Sequence, residues 1–323
     1  MEIGISISFI VFGFILLIKG ADFMVSGAAS FAKKFHVPEI IIGLTIVAMG
    51  TSAPEMVVNL VSGSKGLDDV IFGNIIGSSL FNLLLILGIA GIVRPLRVHS
   101  NTVWREIPFS LALCLVFFIL VNDVFFFGSS ENGIGKLDGI LLLLCFGGFL
   151  FYIFRSVKRN KSPLEFPDET KNYTNLTTFL MIFGGIAGLV IGGRMVVDHS
   201  VEIARNMAIS EKMIGLTILA AGTSLPELAT SVVAAYKGKA DIAIGNVIGS
   251  NIFNISLILG VNGLIRPINY NTEFNTDMLF LIAGSLMLFV FMFTFSKKKL
   301  DRWESAIYLL IFIAYMIFVF SRK

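Results

Sequence analysis

Charge is scarce in this 323-residue chain. Asp, Glu, Lys and Arg make up 15% of it, against roughly 25% in soluble domains. So few charged side chains cannot cover the surface of a chain that is 55% hydrophobic with mean hydropathy +0.86. A water-soluble globule is thereby excluded. Also lacking is the alternation of apolar and polar residues that a membrane β-barrel requires; the apolar runs are continuous. The two cysteines, Cys114 and Cys145, fall inside such runs, read as buried hydrophobes and say nothing about redox compartment. His36, His99 and His199 are scattered without metal-ligand spacing, and a net charge of +3 says little about nucleic acid. No basic region precedes the first apolar run and no small-residue cleavage pattern accompanies it, so it reads as a retained span. No nucleophile, base and metal constellation lies at a membrane surface, which argues against an enzyme.

What the chain does have is apolar runs of about 20 residues, the length that crosses a bilayer core. They predict an all-α polytopic membrane protein of about ten transmembrane helices, near 4–30, 39–63, 69–92, 104–122, 136–155, 176–204, 211–236, 240–263, 275–296 and 303–321. Residues 156–175, including the polar Ser162 to Glu169 stretch, read as a linker between residues 1–155 and 176–323. Five spans per half, an odd number, make the second half enter the membrane from the opposite side, so the two halves form an inverted repeat. Odd-numbered connections carry 16 Lys and Arg, among them Lys33, Arg94, Arg155, Lys237 and Lys297 to Lys299. Even-numbered connections plus termini carry seven: Lys65, Lys136, Arg205, Lys212, Arg266, Arg322 and Lys323. The excess places the odd connections and the linker in the cytoplasm and both termini outside the cell membrane.

Two segments are near-copies. GLTIVAMGTSAPE (Gly43 to Glu55) and GNIIGSSLFN (Gly73 to Asn82) return as GLTILAAGTSLPE (Gly215 to Glu227) and GNVIGSNIFN (Gly245 to Asn254). The offset of 172 (223 − 51, 254 − 82) holds without insertion from Glu39/Glu211 to Pro95/Pro267. Each copy puts a glutamate inside an apolar span, and ionisable groups there mark ion pathways. Pro54 and Pro226 have no N–H and crowd the carbonyl four residues back, so each helix is expected to break beside Gly50-Thr51-Ser52 and its counterpart. Such a break survives in lipid only where it lines a cavity or is covered by protein. Thr51 and Glu55 are four apart and share a face, with Ser52 adjacent, and so do Thr223 and Glu227 with Ser224. Ser78 and Asn82, and Ser250 and Asn254, have the same spacing, preceded by glycines that permit close helix approach. Together with freed carbonyls near Ala48 and Ala220, these residues predict an all-oxygen site for a hard cation. Calcium takes about 6–8 oxygens, and Glu55 with Glu227 balances one Ca²⁺ or two or more Na⁺.

GTSAPE, GNIIGSSLFN, GTSLPE and GNVIGSNIFN resemble the paired α-repeats of the cation/Ca²⁺ exchanger superfamily, sodium/calcium exchanger branch. The resemblance implies a Na⁺/Ca²⁺ antiporter working by alternating access. Glu55 and Glu227 would bridge the ions, Thr51, Ser52, Thr223, Ser224, Ser78 and Ser250 would add hydroxyls, Ala48 and Ala220 carbonyls, and Asn82 and Asn254 would line the middle. It further implies electrogenic exchange of about three Na⁺ for one Ca²⁺, with no cofactor beyond the transported ions. Neither copy has the GNxxE element of the H⁺/Ca²⁺ branch, and Asn254 stands where the K⁺-dependent branch places Asp. Coupling to H⁺ or K⁺ and a passive cation channel stay as alternatives; channels usually build their pore from several subunits, whereas this chain carries its own inverted pair. Outside the repeats, plain structural roles are expected. Lys19 should pair with Asp22, Arg194 with Asp198, and Glu39 and Glu211 should begin helices, where a carboxylate suits the positive dipole end.

Overall fold

The computed structural model describes residues 2–159, 172–206, 220–294 and 297–321. Most of the expected linker, the start of the seventh expected span with Glu211, and Arg322 and Lys323 lie outside the described residues. Among the described residues, eight helices are long and apolar enough to cross a membrane, and a ninth is the bent pair Glu39–Thr51 and Ala53–Lys65. The described part of the seventh expected span, Ala220–Thr223 and Leu225–Tyr236, is interrupted at the corresponding place.

The helices sort by burial. Asp68–Val93 and Ala240–Ile265 are 72% and 94% buried over their most apolar stretch, while Glu2–Phe35 and Asn175–Asn206 are 28% and 33% buried. The two repeat-bearing helices therefore form the centre and the two longest helices lie outside it. Those two pack directly on each other through glycines. A Cβ on Gly20 would meet the Gly185 carbonyl oxygen at 2.9 Å, and one on Gly192 would meet that of Gly13 at 2.7 Å. The offset of 172 carries Gly13 and Gly20 onto Gly185 and Gly192, so the two contacts are counterparts of each other.

Short strand pairs tie the halves at their rims. Leu96–Arg97 pairs antiparallel with Lys299–Leu300, and Ile268–Asn269 pairs with Gly133–Ile134. Since 96 + 172 = 268, the exit of each buried helix grips a loop of the opposite half. The turns entering those helices also match: Gly66 (φ 74°) and Gly238 (φ 75°) adopt the left-handed conformation that side chains disfavour.

Two expectations change. Asp22 pairs with Lys237 at 2.5 Å rather than with Lys19, and Lys237 also donates to Ser26 Oγ at 2.7 Å. Among the described residues no ion pair joins Arg194 and Asp198. Glu39 does begin a helix, behind Pro38, and additionally pairs with Lys239 at 2.8 Å.

Candidate ion site

Proline sets the local geometry. Pro54 and Pro226 each occupy the first turn of the second half-helix, where a missing N–H costs nothing. Ser52 (φ −80°, ψ 6°) and Ser224 (φ −91°, ψ 6°) stand at the joints, and the first pair bends by 49°. Glu55 and Glu227 follow in the first turn, where the positive end of the half-helix favours a carboxylate. The Ala48 carbonyl is not fully released by the bend, because it accepts the Ser52 N–H at 2.9 Å. Gly50 is the residue whose carbonyl loses its helical donor to Pro54. Ala220 opens the described part of its helix.

The two repeats cross. Ser52 Oγ donates to Glu227 Oε1 at 2.9 Å, and Ser224 Oγ donates to Glu55 Oε1 at 3.1 Å. Glu55 and Glu227, 1% and 0% exposed, are thereby held at one place. Each carboxylate keeps its other oxygen without a hydrogen-bond partner among the described residues. The same is true of Ser78 Oγ, Ser250 Oγ, Asn82 Oδ1 and Asn254 Oδ1. Twelve buried side-chain oxygens lack a partner among the described residues, and six of them form these three repeat-related pairs, all on residues the sequence singled out. An unsatisfied buried polar group costs about 1–3 kcal/mol, so a partner that accepts electron pairs from these oxygens would stabilise them, and a cation is a candidate of that kind. Among the described residues no three His, Cys, Asp or Glu side chains cluster as a metal site made of such ligands alone would require.

Thr51 and Thr223 also engage asparagines of the opposite repeat. Thr51 Oγ1 donates to Asn246 Oδ1 at 3.0 Å, and Asn74 Nδ2 faces Thr223 Oγ1 at 3.5 Å. Asn82 Nδ2 donates to Asn251 Oδ1 at 3.1 Å, and Asn251 Nδ2 to the Ser79 carbonyl at 3.3 Å. Sequence reasoning missed Asn74, Asn246 and Asn251. The first two recur within the quoted GN dipeptides at the same offset, which was a usable signal. Asn82 and Asn254 sit in π-helical turns, Phe81–Ile86 and Phe253–Ile258. Such wide turns concentrate at functional sites, and no residue type announces them.

The sodium/calcium exchanger protein family matches residues 5–155 and 177–321. Putative antiporter CaxA of Alkalimonas amylolytica is 36% identical over 97% of this chain and 98% of its own length. Sodium/calcium exchanger MaX1 of Methanosarcina acetivorans is 31% identical over 98% of this chain and 99% of its own. A solved structure of the sodium-calcium exchanger NCX_Mj superposes with TM-score 0.83 at 30% identity, covering 98% of this chain and 99% of that one. With paired repeats, crossed carboxylates and matches along nearly its whole length, the chain belongs to the sodium/calcium exchanger family of membrane transporters.

Proposed function

We propose that this chain is an electrogenic Na⁺/Ca²⁺ antiporter in which the two ions compete for one site by alternating access. The observation that carries the reading is the pair of crossed carboxylates, Glu55 and Glu227, with a formal charge of −2 and with repeat-related unpartnered oxygens on Ser78, Ser250, Asn82 and Asn254. One Ca²⁺ neutralises that charge, and two or more Na⁺ spread over the same oxygens can take its place; a third Na⁺ per Ca²⁺ moves the one net charge that makes the exchange electrogenic. A cage that accommodates either load but not both couples the flow of one ion to the counterflow of the other. Ala48, Thr51, Ser52, Ser78, Asn82, Ala220, Thr223, Ser224, Ser250 and Asn254 complete the ligand set in this reading. The names of CaxA, MaX1 and NCX_Mj accord with it.

The reading extends to topology. Residues 1–155 and 176–323 are inverted five-helix repeats joined by a cytoplasmic linker at 156–175, with both termini outside. Glu2–Phe35 and Asn175–Asn206, joined through glycines and little buried, slide as a unit along the buried helices to expose the site to each side.

The test is ⁴⁵Ca²⁺ uptake into proteoliposomes loaded in turn with Na⁺, K⁺ or a proton gradient. Na⁺-loaded vesicles accumulate calcium, valinomycin-set voltage changes the rate, and Glu55→Gln or Glu227→Gln abolishes uptake. Uptake driven by the pH gradient alone, or flux without a counter-ion, contradicts the proposal.

A further inference from the structure

The repeats are alike around the carboxylates but differ one layer out. Residue 59 is Asn, whereas its counterpart, at 59 + 172, is Ser231. Asn59 is fully buried, and its Nδ2 donates to the Glu55 carbonyl at 2.7 Å and to Asn74 Oδ1 at 2.8 Å. A backbone carbonyl only accepts, so the amide end that touches it must be nitrogen. That assignment fixes Asn74 as well: its oxygen faces Asn59, and its Nδ2 is left facing Thr223 Oγ1 at 3.5 Å.

The second repeat resolves the same contacts the other way. Ser231 is too short to take the carbonyl, so Asn246 Nδ2 itself lies 3.3 Å from the Glu227 carbonyl and 2.9 Å from Ser231 Oγ. Asn246 Oδ1 remains for Thr51, whose hydroxyl donates to it at 3.0 Å. The Val47 and Ala48 carbonyls, 3.2 and 3.3 Å from Thr51 Oγ1, are acceptors too. Among the described residues these three acceptors claim the Thr51 proton and leave its lone pairs for something positive. Thr223, besides its other contacts, meets an N–H at 3.5 Å, which occupies a lone pair. Two equivalent amides thus present opposite ends to two equivalent threonines.

We infer that Asn59 is a positioning residue that makes the two half-sites unequal for Na⁺, with the Thr51 hydroxyl a ligand of full strength and the Thr223 hydroxyl a weakened one. This rests on the exchanger reading above. Residue 59 acts through Asn74, without touching the ion. Ser at 59 would accept from Asn74 Nδ2 as Ser231 does from Asn246, turn the Asn74 oxygen toward Thr223 and free its lone pairs. Asn at 231 would do the reverse to Thr51.

The experiment is displacement of ⁴⁵Ca²⁺ by Na⁺ from the purified full chain in detergent, which requires no transport. Asn59→Ser lowers the half-displacing Na⁺ concentration about fivefold, the net worth of one hydrogen bond. Ser231→Asn raises it by a similar factor, and the double exchange returns it toward the starting value. A purely structural defect moves both single variants in the same direction, so shifts of one sign, or none while Na⁺ still displaces Ca²⁺ from the parent, overturn the inference. If the parent binds no Na⁺-displaceable Ca²⁺, the exchanger reading fails, and this inference with it. Should either exchange not fold, Thr51→Val is expected to weaken Na⁺ displacement more than Thr223→Val, and equal effects overturn the inference.

Discussion

Ser52 Oγ lies 2.9 Å from Glu227 Oε1, and the two residues belong to different repeats. Neither half-site is made by one repeat alone. The proton of Ser52 is committed to a carboxylate that its own helix does not carry, and Ser224 returns the arrangement to Glu55.

Removing either hydroxyl should therefore damage the opposite repeat's carboxylate. A hydrogen bond to a charged group is worth about 1.5–3 kcal/mol. Ser52→Ala and Ser224→Ala should each weaken ⁴⁵Ca²⁺ binding by about tenfold or more. In double-mutant cycles Ser52→Ala should couple to Glu227→Asp by about 0.5–3 kcal/mol, and less to Glu55→Asp. Stronger coupling within a repeat than across it would contradict the crossed geometry.

Helix contact around the site is backbone-close. A Cβ on Gly249 would stand 2.7 Å from both the Ala48 Cβ and the Leu44 carbonyl oxygen. Gly249→Ala should cost about 1–3 kcal/mol of stability through overpacking, with a loss of Ca²⁺ affinity as Ala48 is displaced. Gly147→Ala, in a helix interior where a Cβ meets nothing within 4 Å, should leave Ca²⁺ affinity unchanged and raise stability slightly. Thermal unfolding in detergent compares the two.

Lys237 binds Asp22 and Ser26 of the first helix, while its repeat counterpart, Lys65, is exposed, as is Asp198, the counterpart of Ser26. If the halves are inverted and exchange conformations, as proposed, they should exchange this contact too. With the free Cys114 and Cys145 replaced, the pairs Ser26→Cys/Lys237→Cys and Lys65→Cys/Asp198→Cys should both cross-link in membranes. Each cross-link should stop transport until reduced. Failure of the second pair to cross-link under any ion condition would contradict the exchange.

His99, in the connection after the third helix, lies 3.0 Å from Asp241, whose hydrogen bond and negative charge raise the imidazole above its ordinary 6.5. Glu39 adds to the pull, and Lys239 sits on Glu39. A raised histidine contributes stability that is present below the unfolded value and lost as pH rises through the folded one. Melting temperature should thus decline slightly from pH 6.5 upward, and His99→Gln should flatten that slope. The imidazole is 73% exposed, so solvent screening keeps the effect small.

How much was legible depended on whether the signal was local. Pro54 and Pro226 announced their breaks because proline's effect acts within one turn. Glu55, Glu227, Ser78, Ser250, Asn82 and Asn254 announced themselves through repetition in an apolar setting. Asp22 was misassigned because spacing reveals only neighbours on the same helix, and Lys237 is 215 residues away. The Ala48 carbonyl was expected to be freer than it is, since a proline's position predicts where a ladder breaks but not how the adjoining serine N–H is re-used. Asn59 carries no repeat signal, because it is where the two copies differ.

The strand pairs at 96–97 with 299–300 and 133–134 with 268–269 have a mechanical corollary. Stapled to its partner at two repeat-related rims, each half resists shearing against the other, and the central helices behave as a chassis. The glycine-seamed outer pair carries no such staple among the described residues, so in the proposed alternating-access cycle displacement would be channelled into it, and a stiff frame would leave the ion cage's dimensions unaltered while its doors change places.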